Sequence, residues 1–575
     1  MRIETRQVLF NPQRILGDEQ LASSFHLHGE WGDRCGLSIF RTVAQPPYSE
    51  DYLLGQIVND DGRWTNFPCC HGDVAGRWIW AHALATSNDP GNPPEYLKSL
   101  VDKAIALQQA DGHYGNATIK PGVETMLGAY GNGWMLQGIA SYARVHGGEA
   151  VLAALRAHVD WYIDQYEYWE DVSRKISERG TEFYAVTPSG YFHGLNGLIE
   201  AHKVLQDEQI LELAKKIIDL APPLEEADHS HSYLTIRRGC LAYAEQVGDE
   251  ALLNRVMGEL EQVWQEFVLE AGGIPERFRH FEDDAHIDDE GCSHSDWILL
   301  CLKLHKLTAE KRWLDRAILC IENQFFYNQT INGGFGARLI LKNSYLQMGK
   351  EGYWCCSLYG PAAMLEAASY LTRIEGNTLN LLYPLEGELS FGDNRVRLKW
   401  RDDLQEYSVD LSDAPDIDDV QLYQPHWMRA SQTAEAGCHR FQVQWQFWNG
   451  LPERAPEPVS PEEGGRYTQF LGPWMMVSRP NKASAYPQVP MAQLRETGQA
   501  RGLEVRPMRK LPQSDKSLSV VMASDVEVSM YDVFSWASDK PDTLRLYPLK
   551  DKESPDSARS WFSAAPYGDK CCDKE

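Results

Sequence analysis

From about residue 70 to residue 373, apolar side chains recur at helical spacing in segments of roughly 12 to 20 residues, interrupted by Gly, Pro, Asp and Asn. Val74 to Thr86, Pro94 to Ala110, Thr125 to Val145, Ala150 to Tyr166, Gly194 to Leu205, Ile210 to Leu220, Tyr233 to Val247, Glu250 to Leu269, Ser293 to Leu307, Glu310 to Asn323 and Tyr359 to Leu371 follow one another with no strand-like run between them. These make about eleven helices, close to the twelve of a closed toroid of six hairpins. An (α/α)6 barrel over residues 51–373 is therefore expected.

After Thr372 the periodicity changes to two. Leu379 to Pro384, Glu388 to Phe391, Val396 to Trp400, Tyr407 to Leu411, Phe441 to Phe447, Trp474 to Ser478 and Val526 to Tyr531 alternate apolar with polar residues between turn signals. They read as antiparallel strands of a β-sandwich over residues 374–575, with the acidic, proline-rich stretch 451–465 as a loop within it. Residues 1–50 are mixed in character and are expected to lend a strand to that sandwich. The fold class is thus α+β and multidomain.

A chain of 575 residues with formal charge -27 and a pI near 5.1 repels polyanions, which argues against nucleic acid as a partner. No apolar run approaches the ~20 residues that cross a bilayer, so no membrane partner is expected. The N-terminus carries charges where a signal peptide needs a continuous apolar core, and a cytoplasmic location is the expectation. The 12 cysteines suit a reduced compartment. They include the adjacent pairs Cys69-Cys70, Cys355-Cys356 and Cys571-Cys572.

Aromatic-rich breaks punctuate the helices at Asp111 to Gly115, Tyr130 to Trp134, Tyr191 to Leu195 and Gly272 to Phe278. Loops of this kind gather at one mouth of a toroid, where rings can stack on a sugar; the plain alternative is that they are packing residues at helix ends. Glu290 and Cys292, in the run Asp289-Glu290-Gly291-Cys292, and the pair Cys355-Cys356 offer one carboxylate and three sulfurs, a full ligand set for a tetrahedral thiophilic ion such as Zn²⁺. No zinc-finger knuckle is present, and adjacent cysteine ligands suit a specialised site better than a simple staple. Equally, Cys292, Cys355 and Cys356 could be small buried apolar residues.

Cleavage of a glycosidic bond needs a proton donor and, with retention, a nucleophile on the opposite face of the anomeric carbon. A metal-held thiolate is an adequate nucleophile. Glu276, on a loop opened by Gly272-Gly273, is the best-placed proton donor, with Glu282, Asp283, Asp284, Asp288 and Asp289 as alternatives.

The ordered set Gly-Gly-Ile, Glu276-x-Phe, Glu290-x-Cys292 and Cys355-Cys356 resembles the active-site signature of the β-L-arabinofuranosidases of glycoside hydrolase family 127 and related families. Gly72-Asp73-Val-Ala-Gly-Arg-Trp78, Gln109-Ala-Asp-Gly-His113, His193 at a helix start and Leu471-Gly-Pro-Trp-Met475 fall in the same order, so the resemblance covers residues 70 to 480. It implies an (α/α)6 barrel followed by β-sandwich domains. It implies Glu276 as acid/base, Cys355 as nucleophile, and Glu290, Cys292, Cys355 and Cys356 as zinc ligands. It also implies His193 and, more weakly, His231 as substrate contacts.

The chain departs from the family pattern in places. Ser357-Leu358-Tyr359-Gly360 follows the cysteine pair where a proline and an asparagine are usual, the segment between Glu276 and Glu290 is recast, and Asn132-Gly133-Trp134 stands where Gly-His-Leu is usual. The metal-thiolate machinery is kept while sugar-facing residues change.

The reading that results is a zinc-dependent retaining glycoside hydrolase that releases a terminal sugar such as β-L-arabinofuranose from an oligosaccharide or glycoconjugate, with homo-oligomerisation compatible. The alternatives are a metal-independent (α/α)6 uronide hydrolase or lyase, and a non-catalytic carbohydrate-binding protein with structural zinc.

Overall fold

A computed structural model describes residues 8–57, 71–115, 123–177, 190–227, 229–269, 271–278, 286–330, 332–341, 344–401, 404–449 and 466–478, with short strands between 488 and 565. The Cys69-Cys70 and Cys571-Cys572 pairs and the 451–465 stretch lie outside these residues.

Twelve of the helices among the described residues build the barrel. In chain order they are α1 (Gly29–Ala44), α2 (Asp73–Ala85), α3 (Glu95–Ala106), α4 (Val123–His146), α5 (Glu149–Ser177), α6 (Leu195–Leu205), α7 (Glu208–Leu220), α8 (Ser230–Val247), α9 (Glu250–Glu266), α10 (Gly291–Thr308), α11 (Lys311–Cys320) and α12 (Cys356–Tyr370). The even-numbered helices pack in sequence, and α12 returns to α2, closing an inner ring; the odd-numbered helices lie outside it.

Composition explains the two layers. Every residue of α12 except Glu366 is buried, the mark of a helix covered on all sides. Outer helix α7 instead buries Ile210, Leu213, Ala214, Ile217 and Ile218, a single stripe at spacings of three and four. The side chain of Asp207 caps it by accepting from Gln209 N at 3.0 Å.

Inner helices α2 and α4 approach most closely through glycine. A Cβ on Gly76 would lie 2.3 Å from Trp134 O, and one on Gly138 would lie 2.3 Å from Gly76 O. Tyr130 to Trp134, expected as a break, runs instead inside α4. Gly133 within it serves packing, since a Cβ there would lie 2.8 Å from Gly194 N.

Residues 1–50 hold more than a strand. Val8–Phe10 and Ser24–His28 pair with each other, and Ser24–His28 pairs with Glu386–Phe391 in an antiparallel seven-stranded sheet. Helix α1 then packs on α12 from outside. Its three glycines weaken the helical signal, yet Gly32 is required, because a Cβ there would lie 2.4 Å from Leu27 O.

The expectation that no strand interrupts the helical region is also corrected. His286–Glu290, Gly336–Leu341 and Ser344–Glu351 form an antiparallel three-stranded sheet. These strands carry no sustained alternation, so periodicity does not reveal them.

The seven-stranded sheet continues through Asn394–Arg401, Glu406–Asp413 and Cys438–Trp445 to Met428–Glu435. Met428–Glu435 is an edge strand that exposes nearly all its side chains, which is why it shows no alternation. A further, eight-stranded sheet includes Phe447–Asn449, Arg466–Leu471 and Trp474–Ser478. It is fastened to the barrel at a π turn, Ile321–Phe325, that extends α11. There Asn323 accepts from Met475 N at 2.6 Å, and the two carboxylate oxygens of Glu322 accept from Trp474 Nε1 at 2.8 Å and Trp31 Nε1 at 3.0 Å.

Gly76→Val is expected to destabilise the chain by at least about 3 kcal/mol, since its contacts are backbone and cannot give way. Gly258→Ala, in α9 with open space around it, is expected to be neutral or to stabilise by about 0.5–1 kcal/mol. Denaturant unfolding followed by circular dichroism checks both, and equal stabilities would contradict the packing described.

Candidate active site

Two inner helices bring their N-termini together. Glu290 ends its strand and immediately precedes α10, with Cys292 in the first turn; Cys355 immediately precedes α12, and Cys356 is its first residue. The unpaired N–H groups and positive dipole ends of both helices thus face a cluster of acidic donors.

The residue between Glu290 and Cys292 has to be small, because a Cβ on Gly291 would lie 3.2 Å from Cys356 Cβ. Gly352 is similarly placed, 3.0 Å from Cys356 Sγ by the same measure.

Cys356 Sγ lies 3.5 Å from Cys292 Sγ, 3.4 Å from Cys355 Sγ and 4.0 Å from Glu290 Oε1. Ligand atoms of all four residues lie within 4.8 Å of one another. Sulfurs about 2.3 Å from a tetrahedral centre are about 3.8 Å apart, so the spacing and the donor set suit a metal ion with little adjustment.

Cys292 and Cys356 are buried, whereas Cys355 is partly exposed. Hydrogen bonds from Cys292 and Cys356 hold the Cys355 thiol well below its ordinary pKa, with Arg77 and His231 adding to the effect. Burial pushes Cys292 upward. Burial, Glu276 and Cys355 likewise push Glu290 well above the carboxylate range, against a 3.0 Å hydrogen bond from Ser293 Oγ.

Glu276 is fixed through its backbone. Its carbonyl accepts from Ser230 N and Ser230 Oγ, each at 3.0 Å, and the neighbouring Pro275 bridges to Asp289. The acid/base candidate therefore sits between the start of α8 and the strand that ends in Glu290, near enough for its charge to act on Glu290.

Asp289 is fully buried and accepts from His294 at 3.1 Å, Gln324 at 2.5 Å and Asn328 at 3.1 Å, which makes it an anchor for the strand and removes it as an alternative acid. Glu282, Asp283, Asp284 and the Asp288 side chain lie outside the described residues.

His231 Nδ1 lies 2.6 Å from Asp296 Oδ2, and His231 Nε2 lies 3.3 Å from Arg77 Nη2. Its ring is stacked on Trp134. Burial, with Arg77 and His229 nearby, drives its pKa far down, so the ring is neutral, with Nδ1–H donating to Asp296 and Nε2 accepting from Arg77. Asp296 also accepts from Thr235 Oγ1 at 2.8 Å and from the Tyr359 hydroxyl, which in turn accepts from Arg238.

His193 is buried beside Tyr130, with ring centroids 4.4 Å apart, and neither of its nitrogens has a hydrogen-bond partner among the described residues. It is neutral as well, by burial first.

Sequence reasoning gave Tyr130 only as part of an aromatic-rich break and assigned no role to Arg77, Asp296 or Tyr359. A signal existed. Asp296 follows Cys292 by four residues and Tyr359 follows Cys355 by four, so each lies one helical turn below a cluster sulfur.

No family model and no curated protein matches the sequence. Solved structures do. A GH127 β-L-arabinofuranosidase from Geobacillus stearothermophilus T6 superposes with a TM-score of 0.65 over 94% of this chain and 100% of its own, at 13% identity. A second GH127 β-arabinofuranosidase gives 0.66 over 97% and 98%, also at 13% identity. The chain has the family 127 fold. A further structure, described as a glycoside hydrolase, gives 0.64 over 98% and 99%. The family 127 likeness therefore spans helices and sheets alike, in agreement with the resemblance carried by the motifs.

In metal-depleted protein at neutral pH, iodoacetamide is expected to alkylate Cys355 before Cys292, Cys356 or the partly exposed Cys438. The lowered Cys355 pKa raises its thiolate fraction below the usual thiol range. Peptide mass mapping over time checks this, and first labelling at Cys438 would contradict it.

Proposed function

We propose that the protein is a retaining glycoside hydrolase that removes a terminal β-L-arabinofuranosyl residue, or a sugar of similar shape, from an oligosaccharide or glycoconjugate. The observation that carries the reading is Cys355, a partly exposed residue in a cluster of one glutamate and three cysteines, with Glu276 fixed next to the same strand. The fold shared with the family 127 enzymes supports it.

In this reading Glu290, Cys292, Cys355 and Cys356 hold Zn²⁺, which when bound keeps the sulfurs ionised at neutral pH. Glu276 gives its proton to the leaving glycosidic oxygen while Cys355 Sγ attacks the anomeric carbon; the C–O bond breaks, and a C–S bond forms. Glu276, now ionised, takes a proton from water, which attacks the same carbon and returns Cys355 to the thiolate. Two inversions retain the configuration.

His193, whose ring nitrogens have no hydrogen-bond partner among the described residues, is assigned to the sugar hydroxyls. His231 has both nitrogens occupied and is assigned to positioning. No described helix is long and apolar enough to cross a membrane, and the work assigned to the site needs none.

A panel of nitrophenyl furanosides and pyranosides, assayed with and without a chelator and a reductant, tests the class and identifies the sugar. Cys355→Ala is expected to lower turnover by at least about 1,000-fold. Glu276→Gln is expected to cost about 10²–10⁴-fold on alkyl glycosides. On dinitrophenyl glycosides bond cleavage should be spared, because that leaving group needs no proton. Full activity in Cys355→Ala, or activity indifferent to zinc, would overturn the proposal.

A further inference from the structure

Arg77 is fully buried on inner helix α2 and engaged on several sides. Nε donates to Asp73 Oδ1 at 2.6 Å, Nη2 donates to the Tyr130 hydroxyl at 2.5 Å, and the guanidinium lies 3.8 Å over the Trp134 ring. Nη2 also meets His231 Nε2 at 3.3 Å. The remaining nitrogen, Nη1, is 3.5 Å from Cys292 Sγ.

A buried ion pair with Asp73 contributes little net stability, because desolvation of both charges offsets their attraction. Stability alone therefore gives no reason to place an arginine here. The geometry points to the cluster instead. One carboxylate and three thiolates around a divalent ion leave an excess of two negative charges in a buried space, and Arg77 is a fixed cation in contact with it. Its planar fork can meet Asp73, Tyr130 and Cys292 at once, which a lysine cannot.

Resting on the metal reading above, we propose that Arg77 is a positioning residue of the cluster: its N–H···S contact holds Cys292 as a permanent ligand and leaves Cys355 as the sulfur free to bond carbon. Cys292 and Cys355 thus differ in their partners as well as their exposure. Cys292 is buried and bears the guanidinium contact, whereas Cys355 is partly exposed. Arg77 touches no substrate and acts through the sulfur and through His231.

The test uses the full chain with zinc or cobalt(II) as probe, and does not depend on turnover. Arg77→Met is expected to bind zinc about 10–100-fold more weakly in competition with a chromophoric chelator. It should also shift the sulfur-to-cobalt charge-transfer band, with Arg77→Lys in between. Arg316→Met serves as the control: Arg316 is another buried arginine, paired with Glu261 and stacked on Trp264, and its loss should lower the melting temperature while leaving zinc affinity unchanged.

Arg77→Met with wild-type zinc affinity and an unchanged cobalt spectrum would overturn the inference. Should that variant fail to fold, Arg77→Lys, which keeps a cation beside Asp73, decides by the same two readouts. A wild-type chain that binds no zinc would instead overturn the metal reading itself.

Discussion

The meeting of two inner-helix N-termini is the constraint on which the site depends. Glu290 and Cys292 open α10, Cys355 and Cys356 open α12, and a glycine beside each pair lets the two ends approach until the sulfurs touch. Four groups that would repel one another as anions are placed where two helix dipoles favour negative charge. A thiophilic divalent ion completes that balance, and the charge on Arg77 adds to it through Cys292.

The rest of the molecule keeps this meeting point in place. The π turn at Ile321–Phe325 faces two ways: Glu322 and Asn323 hold α1 and the strand Trp474–Ser478, while Gln324 reaches Asp289, next to Glu290. Glu351, paired with Arg41 at 2.9 Å and with Ser357 Oγ at 2.9 Å, ties α1 to the start of α12. Helix α1 and the C-terminal sheet therefore brace the same two helix ends from outside the ring. Asp296, Tyr359 and Arg238 brace them from the next turn down, and Asp296 sets the tautomer of His231.

Much of this was legible from residues alone. Eleven barrel helices declared themselves because a closed ring buries long apolar runs, and periodicity reports burial directly. The twelfth, α1, did not, since Gly32 is set by contact with the Leu27 carbonyl and Gly29 by its positive φ beside the Glu386 side chain, not by helix propensity. The hairpin ending at Glu351 is too weakly patterned to register. The ligand set and Glu276 were visible as motifs because their chemistry constrains residue type. The parts played by Arg77, Tyr130 and Trp134 were not, although all three stand in motifs, because those parts come from α2 and α4 lying side by side, a relation no local pattern contains. The partial exposure of Cys355, which separates it from the two buried sulfurs, likewise appears only once the chain is folded.

Everything proposed for the site turns on a carbon–sulfur bond at Cys355. Zinc-loaded Glu276→Gln, mixed with a dinitrophenyl β-L-arabinofuranoside and quenched with acid, should accumulate the covalent species, because bond cleavage no longer needs the acid while hydrolysis still needs the base. The expected result by peptide mass spectrometry is one added pentosyl unit on the peptide containing Cys355. The same unit found on a carboxylate side chain, or sugar released without any adduct and with inverted configuration, would contradict it.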